Sequence, residues 1–487
     1  MLLSQMPRTP TEKLLVGIWQ EVLGIESVGV HDNFFEMGGH SLLAIQILSH
    51  IRQTYGALRE LSLRHLFEFP TIAELGQKID LRDLSSSSKV NFKAEVVLDP
   101  VIHPSGDHSD LTQVNTIFLT GATGFLGAYL LYELLQQTTA EVYCLVRSNS
   151  VKQAQQRVQG KLEQYPLWNE ARFKARIHPV VGDLEEPLLG LSQRQFDDLA
   201  SQIDLIYHNG ASVNFVYPYS TLKAANVLGT QEVLRLATQS KTKPLHHIST
   251  MGVFPPSTKV LRESASIDDC WQELENGYAQ SKWVAEKLLM EAQSRGLPLS
   301  IYRPSTITGH SQTGISNTDD FFNRMIKGTI QLGMSAILDG KVLAHIVPVD
   351  YASQAIVHLS LKEHALGEIF HIVNPHSISW NRVMNIICSL GYPLQELPYK
   401  EWRSELINHT KDSEQNALYP LLPYLTEELF DQGHYEFQID CQNTLKGLAD
   451  STITCAPVDR ELGETYFQYF YRSGYLPPLS TNAVAQK

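Results

Sequence analysis

Apolar residues recur along this chain with two different periods, and the change of period divides it. Near the N-terminus the spacing is helical. Leu14, Leu15, Ile18, Trp19, Val22 and Leu23 share one face of a helix opened by Thr9-Pro10-Thr11-Glu12. Leu42, Leu43, Ile45, Leu48 and Ile51 make a second face starting at Ser41, residues 63–69 form a third amphipathic segment, and residues 70–75 start a last short helix. Four helices within residues 1–80 predict a small bundle. Over 81–112 the pattern lapses into Ser85-Ser86-Ser87-Ser88, Pro100, Pro104, Gly106 and Asp110, the composition of a flexible linker. From Asn115 onward, short apolar runs near 117–119, 142–146, 177–181, 205–207 and 246–250 alternate with helical stretches. That alternation predicts a doubly wound parallel α/β sheet beginning near residue 113.

Composition narrows the class. A chain of 487 residues suggests two to four domains, and 43% hydrophobic with 19% charged residues is the balance of a globular protein. The net charge of -13 argues against general nucleic-acid binding, which needs clustered Lys and Arg. Five scattered cysteines, with no C-x-x-C pair and no zinc spacing, fit a reducing compartment and predict no metal site. No apolar run reaches membrane-spanning length and the N-terminus lacks a signal-peptide pattern, so a cytoplasmic location is expected.

Candidate chemistry begins at the first strand. The run Thr116–Thr120 breaks into Gly121-Ala122-Thr123-Gly124-Phe125-Leu126-Gly127 and resumes as a helix. A strand, a glycine turn and a helix let the backbone approach a dinucleotide pyrophosphate, which rests on the helix N-terminus. The spacing is G-x-x-G-x-x-G rather than the usual G-x-G-x-x-G. The second strand ends in Arg147, where an NAD site would carry an acid. A guanidinium suits the 2′-phosphate of NADP, and Arg157 in the next helix is a candidate assistant. The third strand ends in Asp183-Leu184, at the position facing the adenine. The fourth ends in Asn209-Gly210-Ala211, a small-residue turn, and Asn226 lies in the helix that follows. These strand ends line one carboxyl edge of the sheet. Tyr278 and Lys282, four apart, share a helix face, where an ammonium beside the phenol is expected to lower the Tyr pKa for proton transfer. Far upstream, Ser41 is a hydroxyl at a helix start behind Gly38-Gly39-His40, where an attached phosphodiester would meet free helix N–H groups.

Two resemblances organise these features. Asp32-Asn33-Phe34-Phe35-Glu36-Met37-Gly38-Gly39-His40-Ser41-Leu42 resembles the phosphopantetheine attachment motif of peptidyl and acyl carrier domains, across the first eighty residues. The resemblance implies a 4′-phosphopantetheine arm on Ser41, installed by a phosphopantetheinyl transferase and holding substrate as a thioester. Residues 115–375 resemble extended short-chain dehydrogenase/reductases. More closely, residues 120–127, Cys144-Leu145-Val146-Arg147, Leu167-Trp168, residues 278–282 and Tyr302-Arg303-Pro304-Ser305 resemble the thioester reductase domains that end nonribosomal peptide and polyketide synthases and occur in carboxylic acid reductases. The implied architecture is a carrier bundle (1–80), a linker (81–112) and an NADPH-dependent reductase (113–487). Its Rossmann-type part spans about 113–310 and a C-terminal substrate subdomain about 311–487. The implied catalytic set is Thr250 (with Ser249 as fallback), Tyr278 and Lys282, with Arg147 and Arg157 on the adenosine phosphate and Pro304 and Ser305 beside the cofactor. The implied reaction is hydride transfer to a carrier-bound acyl or peptidyl thioester delivered by upstream synthase modules. It releases an aldehyde, with an alcohol as the product of a second round. Alternatives are a carrier-linked epimerase or dehydratase, a redox-silent cyclising release domain, and a module that only binds NADP. The aromatic cluster Tyr466, Phe467, Tyr469, Phe470, Tyr471 and Tyr475 reads first as subdomain core and second as a channel wall. Met1 and the short lead fit a stand-alone protein or a terminal module equally.

Overall fold

The computed structural model describes residues 6–39, 41–55, 61, 63–81, 90–105, 110–255, 260–274, 276–338, 342–410, 415–422, 424–425 and 438–477. His40, Ser85–Ser88 and Gly106 lie outside the described residues, and so does the Ser41 side chain.

The N-terminal helices are fixed at their ends as well as along their faces. Helix α1 (Pro10–Leu23) opens on a capping box between Thr9 and Glu12. It closes on Gly24 at φ 67°, a left-handed conformation glycine adopts without a Cβ clash. Helices α2 (Ser41–Tyr55), α3 (Leu63–Glu68) and α4 (Ile72–Asp80) follow, giving the four predicted. Leu15, Trp19, Phe34, Ile47, Ile51, Leu66 and Leu75 close a separate core, in which Trp19 and Phe34 meet edge to face at 5.2 Å. The bundle rests on the larger domain, with Phe67 5.3 Å from Tyr217 and Gln46 Nε2 3.4 Å from the Tyr419 hydroxyl.

The larger domain is built on seven parallel strands: β1 (Thr116–Thr120), β2 (Glu141–Val146), β3 (Ile177–Val181), β4 (Leu205–His208), β5 (Leu245–Ile248), β6 (Leu299–Pro304) and β7 (Ile369–Ile372). Their order is β7-β6-β5-β4-β1-β2-β3. β1, β2 and β4 read as largely apolar runs because both faces are covered. Ile117 and Leu119 pack with Tyr129, Leu130, Ala352 and Ile356 on one side, and Phe118 packs with Val233, Leu234, Trp283 and Leu288 on the other. The chain winds outward from β1 to β3, then returns to β4 beside β1. The order therefore reverses between β1 and β4, and a crevice opens beyond their carboxyl ends.

The connection departs from the flexible linker expected over 81–112. Phe92, Leu98 and Ile102 are buried in the core of the larger domain, and Arg295 donates to the carbonyls of Leu98, Asp99 and Ile102 at 3.0–3.2 Å. Three apolar residues spaced among prolines show no period, so nothing local marks them as core.

The C-terminal part adds helices Phe321–Leu332, Trp380–Ser389, Tyr399–Thr410 and Arg460–Arg472, with two parallel strand pairs. The first of these helices is capped by Asp320, which accepts from the Asn323 N–H at 2.7 Å. Tyr466, Phe467 and Phe470 are buried with Phe322, Met384 and Ile387, so this cluster is subdomain core. Among the described residues, no helix is long and apolar enough to cross a membrane.

Candidate active site

A continuous cleft of about 2560 Å³ runs from the glycine turn, past Tyr278, to the C-terminal part, and reaches the N-terminal bundle at Phe67 and Glu68. A drug-sized ligand occupies roughly 300–1,000 Å³. This cleft therefore has room for a dinucleotide together with a second long ligand.

The cradle at its inner end is made of missing side chains. Gly121 has φ +75°, and a Cβ there would stand 2.8 Å from the backbone of Gly210. A Cβ on Gly127 would stand 1.9 Å from the Gly121 carbonyl oxygen, so the helix Phe125–Gln137 approaches the turn only with glycine at that position. Thr120 Oγ1 accepts from the Gly210 N–H at 2.8 Å and lies 2.9 Å from His208 Nδ1, which ties the β1 and β4 turns together. Thr123, Leu126, Asp183, Leu184, Asn209 and Ala211 line the same cleft. At the end of β2, Arg157 donates to the Arg147 carbonyl, and the two guanidinium groups flank a recess with Ser148, Asn149 and Gly182. Arg147 is 67% exposed and makes only a loose ion pair with Glu185 at 3.9 Å, and Asp183 and Glu186 also line the recess, so an anion would have to replace that pairing to bind the guanidinium. Ser305 lines the cleft with a buried hydroxyl that has no hydrogen-bond partner among the described residues. A glycine cradle, two guanidinium groups at the end of β2 and a buried hydroxyl without a partner among the described residues fit an NADP-type dinucleotide. Arg147→Ala is expected to raise the KM for NADPH about tenfold or more while leaving that for NADH within about twofold, since hydrogen bonds to charged groups contribute about 1.5–3 kcal/mol. Steady-state kinetics with both cofactors checks this, and equal losses would contradict it.

Asn226 sits elsewhere. It is buried in a π-turn (Ala224–Leu228), accepts from the Ser212 N–H at 2.7 Å, and donates to the Ser212 carbonyl at 3.0 Å and to Ser281 Oγ at 2.9 Å. It does not line the cleft; it braces the β4 turn against the helix carrying Tyr278.

That helix, α5 (Gly277–Ser294), is capped by Asn276, which accepts from the Ala279 N–H at 2.8 Å. Tyr278 and Lys282 both line the cleft. The ammonium of Lys282 donates to the Ile248 carbonyl at 2.8 Å and to His247 Nε2 at 3.1 Å. His247 is thus neutral, held well below its usual pKa by burial and by Lys282. The expected lowering of the Tyr278 pKa is not found. Burial pushes the phenol up to about 12, and the Lys282 ammonium donates to β5. Tyr278 therefore keeps its proton at neutral pH, the state a proton donor needs. Burial likewise lowers Lys282 to about 8, with Glu286 opposing. The rate is expected to fall as pH rises through about 8, where Lys282 loses its charge. Lys282→Arg, always charged, should remove that descending limb even if it is slower overall; a limb that stays in place assigns it to another group.

Thr250 and Ser249 are separated by their partners. Ser249 Oγ donates to Glu286 at 2.5 Å, within a fully buried pair of Glu286 with Arg303. Among the described residues, Thr250 Oγ1 accepts only the Gly252 N–H, at 3.1 Å, which leaves its own proton free to donate into the cleft. Sequence reasoning passed over two features here. One is His247, flagged only by the pair His246-His247 on β5. The other is the aromatic wall: Phe215 meets Tyr278 at 5.5 Å and Phe321 at 6.0 Å, and Phe321 meets Tyr424 at 5.2 Å.

Residues 13–79 match the family described as phosphopantetheine attachment site, and residues 119–356 match that described as male sterility protein. The chain is 41% identical over 486 residues to a subunit of the linear gramicidin synthase of Brevibacillus parabrevis, covering 96% of this chain and 9% of that protein. It therefore spans a small part of that relative. Among solved structures, the terminal R domain from the myxalamid PKS-NRPS biosynthetic pathway is 43% identical, with TM-score 0.74, covering 80% of this chain and 99% of that one. A thiolation-reductase di-domain from an archaeal non-ribosomal peptide synthetase, at 24% identity and TM-score 0.73, covers 97% of this chain and 100% of its own and shares the fold.

Proposed function

Because the chain belongs to the family of carrier-linked reductase (R) domains of nonribosomal peptide synthetases, we propose that it reductively releases an acyl or peptidyl group held as a thioester on its own carrier. The observation that carries this reading is one cleft joining the glycine cradle, Tyr278 and the carrier's Phe67. NADPH bound in that cleft supplies the hydride. Gly121, Thr123, Gly124, Phe125, Leu126 and Gly127 would hold its pyrophosphate, and Arg147 and Arg157 its adenosine phosphate. Asp183, Leu184, Asn209, Gly210 and Ala211 would pass along its length, with Pro304 and Ser305 at the far end. Thr250 and Tyr278 donate hydrogen bonds to the carbonyl oxygen as it gains charge. Tyr278 then gives its proton to that oxygen, while Lys282 steadies the position through β5. The resulting hemithioacetal collapses: its C–S bond breaks, the aldehyde leaves, and the hydroxyl proton ends on the regenerated thiol of the arm.

The division into carrier (1–80), connection (81–112) and reductase (113–487) belongs to the same proposal. So do a 4′-phosphopantetheine arm on Ser41, a phosphopantetheinyl transferase that installs it, upstream modules that load it, and a cytoplasmic setting where these reactants meet. A cyclising release domain would have no use for Tyr278, and an epimerase none for a carrier. The test is absorbance at the NADPH band with the chain in its arm-bearing form, acyl-loaded and unloaded. Oxidation only after loading supports the reading. Binding without oxidation reduces the domain to a cofactor holder.

A further inference from the structure

The turn 214–219 touches three parts of the molecule at once. Its shape is fixed by Asn214, whose Oδ1 accepts from the N–H groups of Val216 and Tyr217 at 2.8 and 2.9 Å. On the carrier side, Tyr217 meets Phe67 edge-on at 5.3 Å, and Phe67 is stacked on Phe35 at 4.5 Å. On the side of the connection, the Tyr219 hydroxyl donates to Glu95 at 2.8 Å and Lys223 Nζ lies 2.6 Å from the same carboxylate. The Phe92 ring stands 4.9 Å from that of Tyr219. On the third side the turn lies against the start of α5. A Cβ on Gly277 would stand 2.4 Å from the Tyr217 carbonyl oxygen and 2.5 Å from the backbone of Pro218 and Tyr219. Gly277 immediately precedes Tyr278, and Phe215, from the same turn, lies edge-on to the Tyr278 ring at 5.5 Å.

We infer that turn 214–219 is a positioning element: it registers the docked carrier against Tyr278, so that an acyl group on the arm is reduced in preference to the same group free in solution. The inference rests on the thioester reductase reading. A carrier that only delivered its arm by diffusion would need no contact with the segment that seats the proton donor. Here one hydrogen-bonded turn carries the docking ring on one face and Gly277 on the other. Only Val216 separates Tyr217 from Phe215, so the carrier contact and the proton donor's contact share one short hydrogen-bonded stretch of backbone.

The test compares tethered and free substrate in Tyr217→Ala and Tyr217→Phe. The tethered probe is an octanoyl group loaded on the carrier from octanoyl-CoA by a phosphopantetheinyl transferase, read as single-turnover thioester loss with NADPH. The free probe is octanoyl-N-acetylcysteamine, turned over by the Ser41→Ala chain, which carries no arm. Tyr217→Ala is expected to slow tethered release about tenfold and to leave free turnover within about twofold, the scale of a lost aromatic contact with its packing. Tyr217→Phe, which keeps the ring, is expected to restore tethered release. Equal losses on both probes, or undiminished tethered release, would overturn the inference. If the unsubstituted chain oxidises NADPH with neither probe, the reductase reading falls and takes the inference with it.

Discussion

Tyr278→Phe is expected to bind NADPH as before and to lose its oxidation on a loaded carrier by about two to four orders of magnitude, the range a positioned general acid contributes. The substitution removes one oxygen. The ring that meets Phe215 at 5.5 Å remains, and so does the Asn276 cap that starts the helix, so neither the cleft wall nor the backbone has cause to move. What goes is the proton that burial holds on the phenol up to about pH 12. Without it the oxygen of the reacting carbonyl would keep only the Thr250 hydroxyl as a donor. A fluorescence titration of NADPH separates binding from chemistry, and near-normal turnover would falsify the assignment.

Ser41→Ala is expected to abolish tethered release completely while leaving the reductase able to act on a thioester free in solution. The residue opens α2, a 15-residue helix, whose first N–H groups have no intrahelical partner. Alanine accepts no arm, so intact-mass analysis after treatment with a phosphopantetheinyl transferase and coenzyme A should show the added arm on the unsubstituted chain and none on the variant. A mass gain on the variant would move the attachment site elsewhere. Loss of free-thioester turnover as well would mean that the substitution had damaged more than the arm.

What could be read from the sequence was whatever lies close together along it. The glycine turn follows its strand directly, Tyr278 and Lys282 are one helical turn apart, and Arg147 and Arg157 flank one strand end. Each is a local pattern with a geometric consequence, and the cleft lines up with them. Strands such as Thr116–Thr120 and Leu205–His208 stood out because both faces are buried, whereas Leu299–Pro304, with Ser300 and Arg303 inside the core, made no apolar run. What escaped is held by contacts between distant residues. Phe215, Phe321 and Tyr424 span more than two hundred positions, and no spacing rule brings them together. Leu98 and Ile102 lie among turn-forming residues, where Arg295 holds their carbonyls from almost two hundred positions away, and Phe92 is buried against Tyr219 and Trp271.

The Tyr278 pKa failed for a related reason. Helical spacing places Lys282 on the same face, but it does not show that β5 offers the ammonium a carbonyl and an imidazole nitrogen. Desolvation of the phenol then outweighs the attraction of a charge turned elsewhere. The same burial explains why Ser249 is silent. The pair of Glu286 with Arg303 lies wholly inside the molecule, where an unpartnered charge would be costly, and the Ser249 hydroxyl helps to satisfy it. Thr250, one residue on, keeps its proton for the cleft.

The central claim is that hydride reaches the carbon of a thioester carried on this chain's own arm. The most direct measurement uses NADPH deuterated at the transferring position of the nicotinamide, added to the acyl-loaded chain, with the released product analysed by mass. The account predicts an aldehyde bearing deuterium on the former thioester carbon, or an alcohol bearing it there if a second round follows. An unlabelled acid, a cyclised product without label, or an acyl group still on the carrier would contradict it.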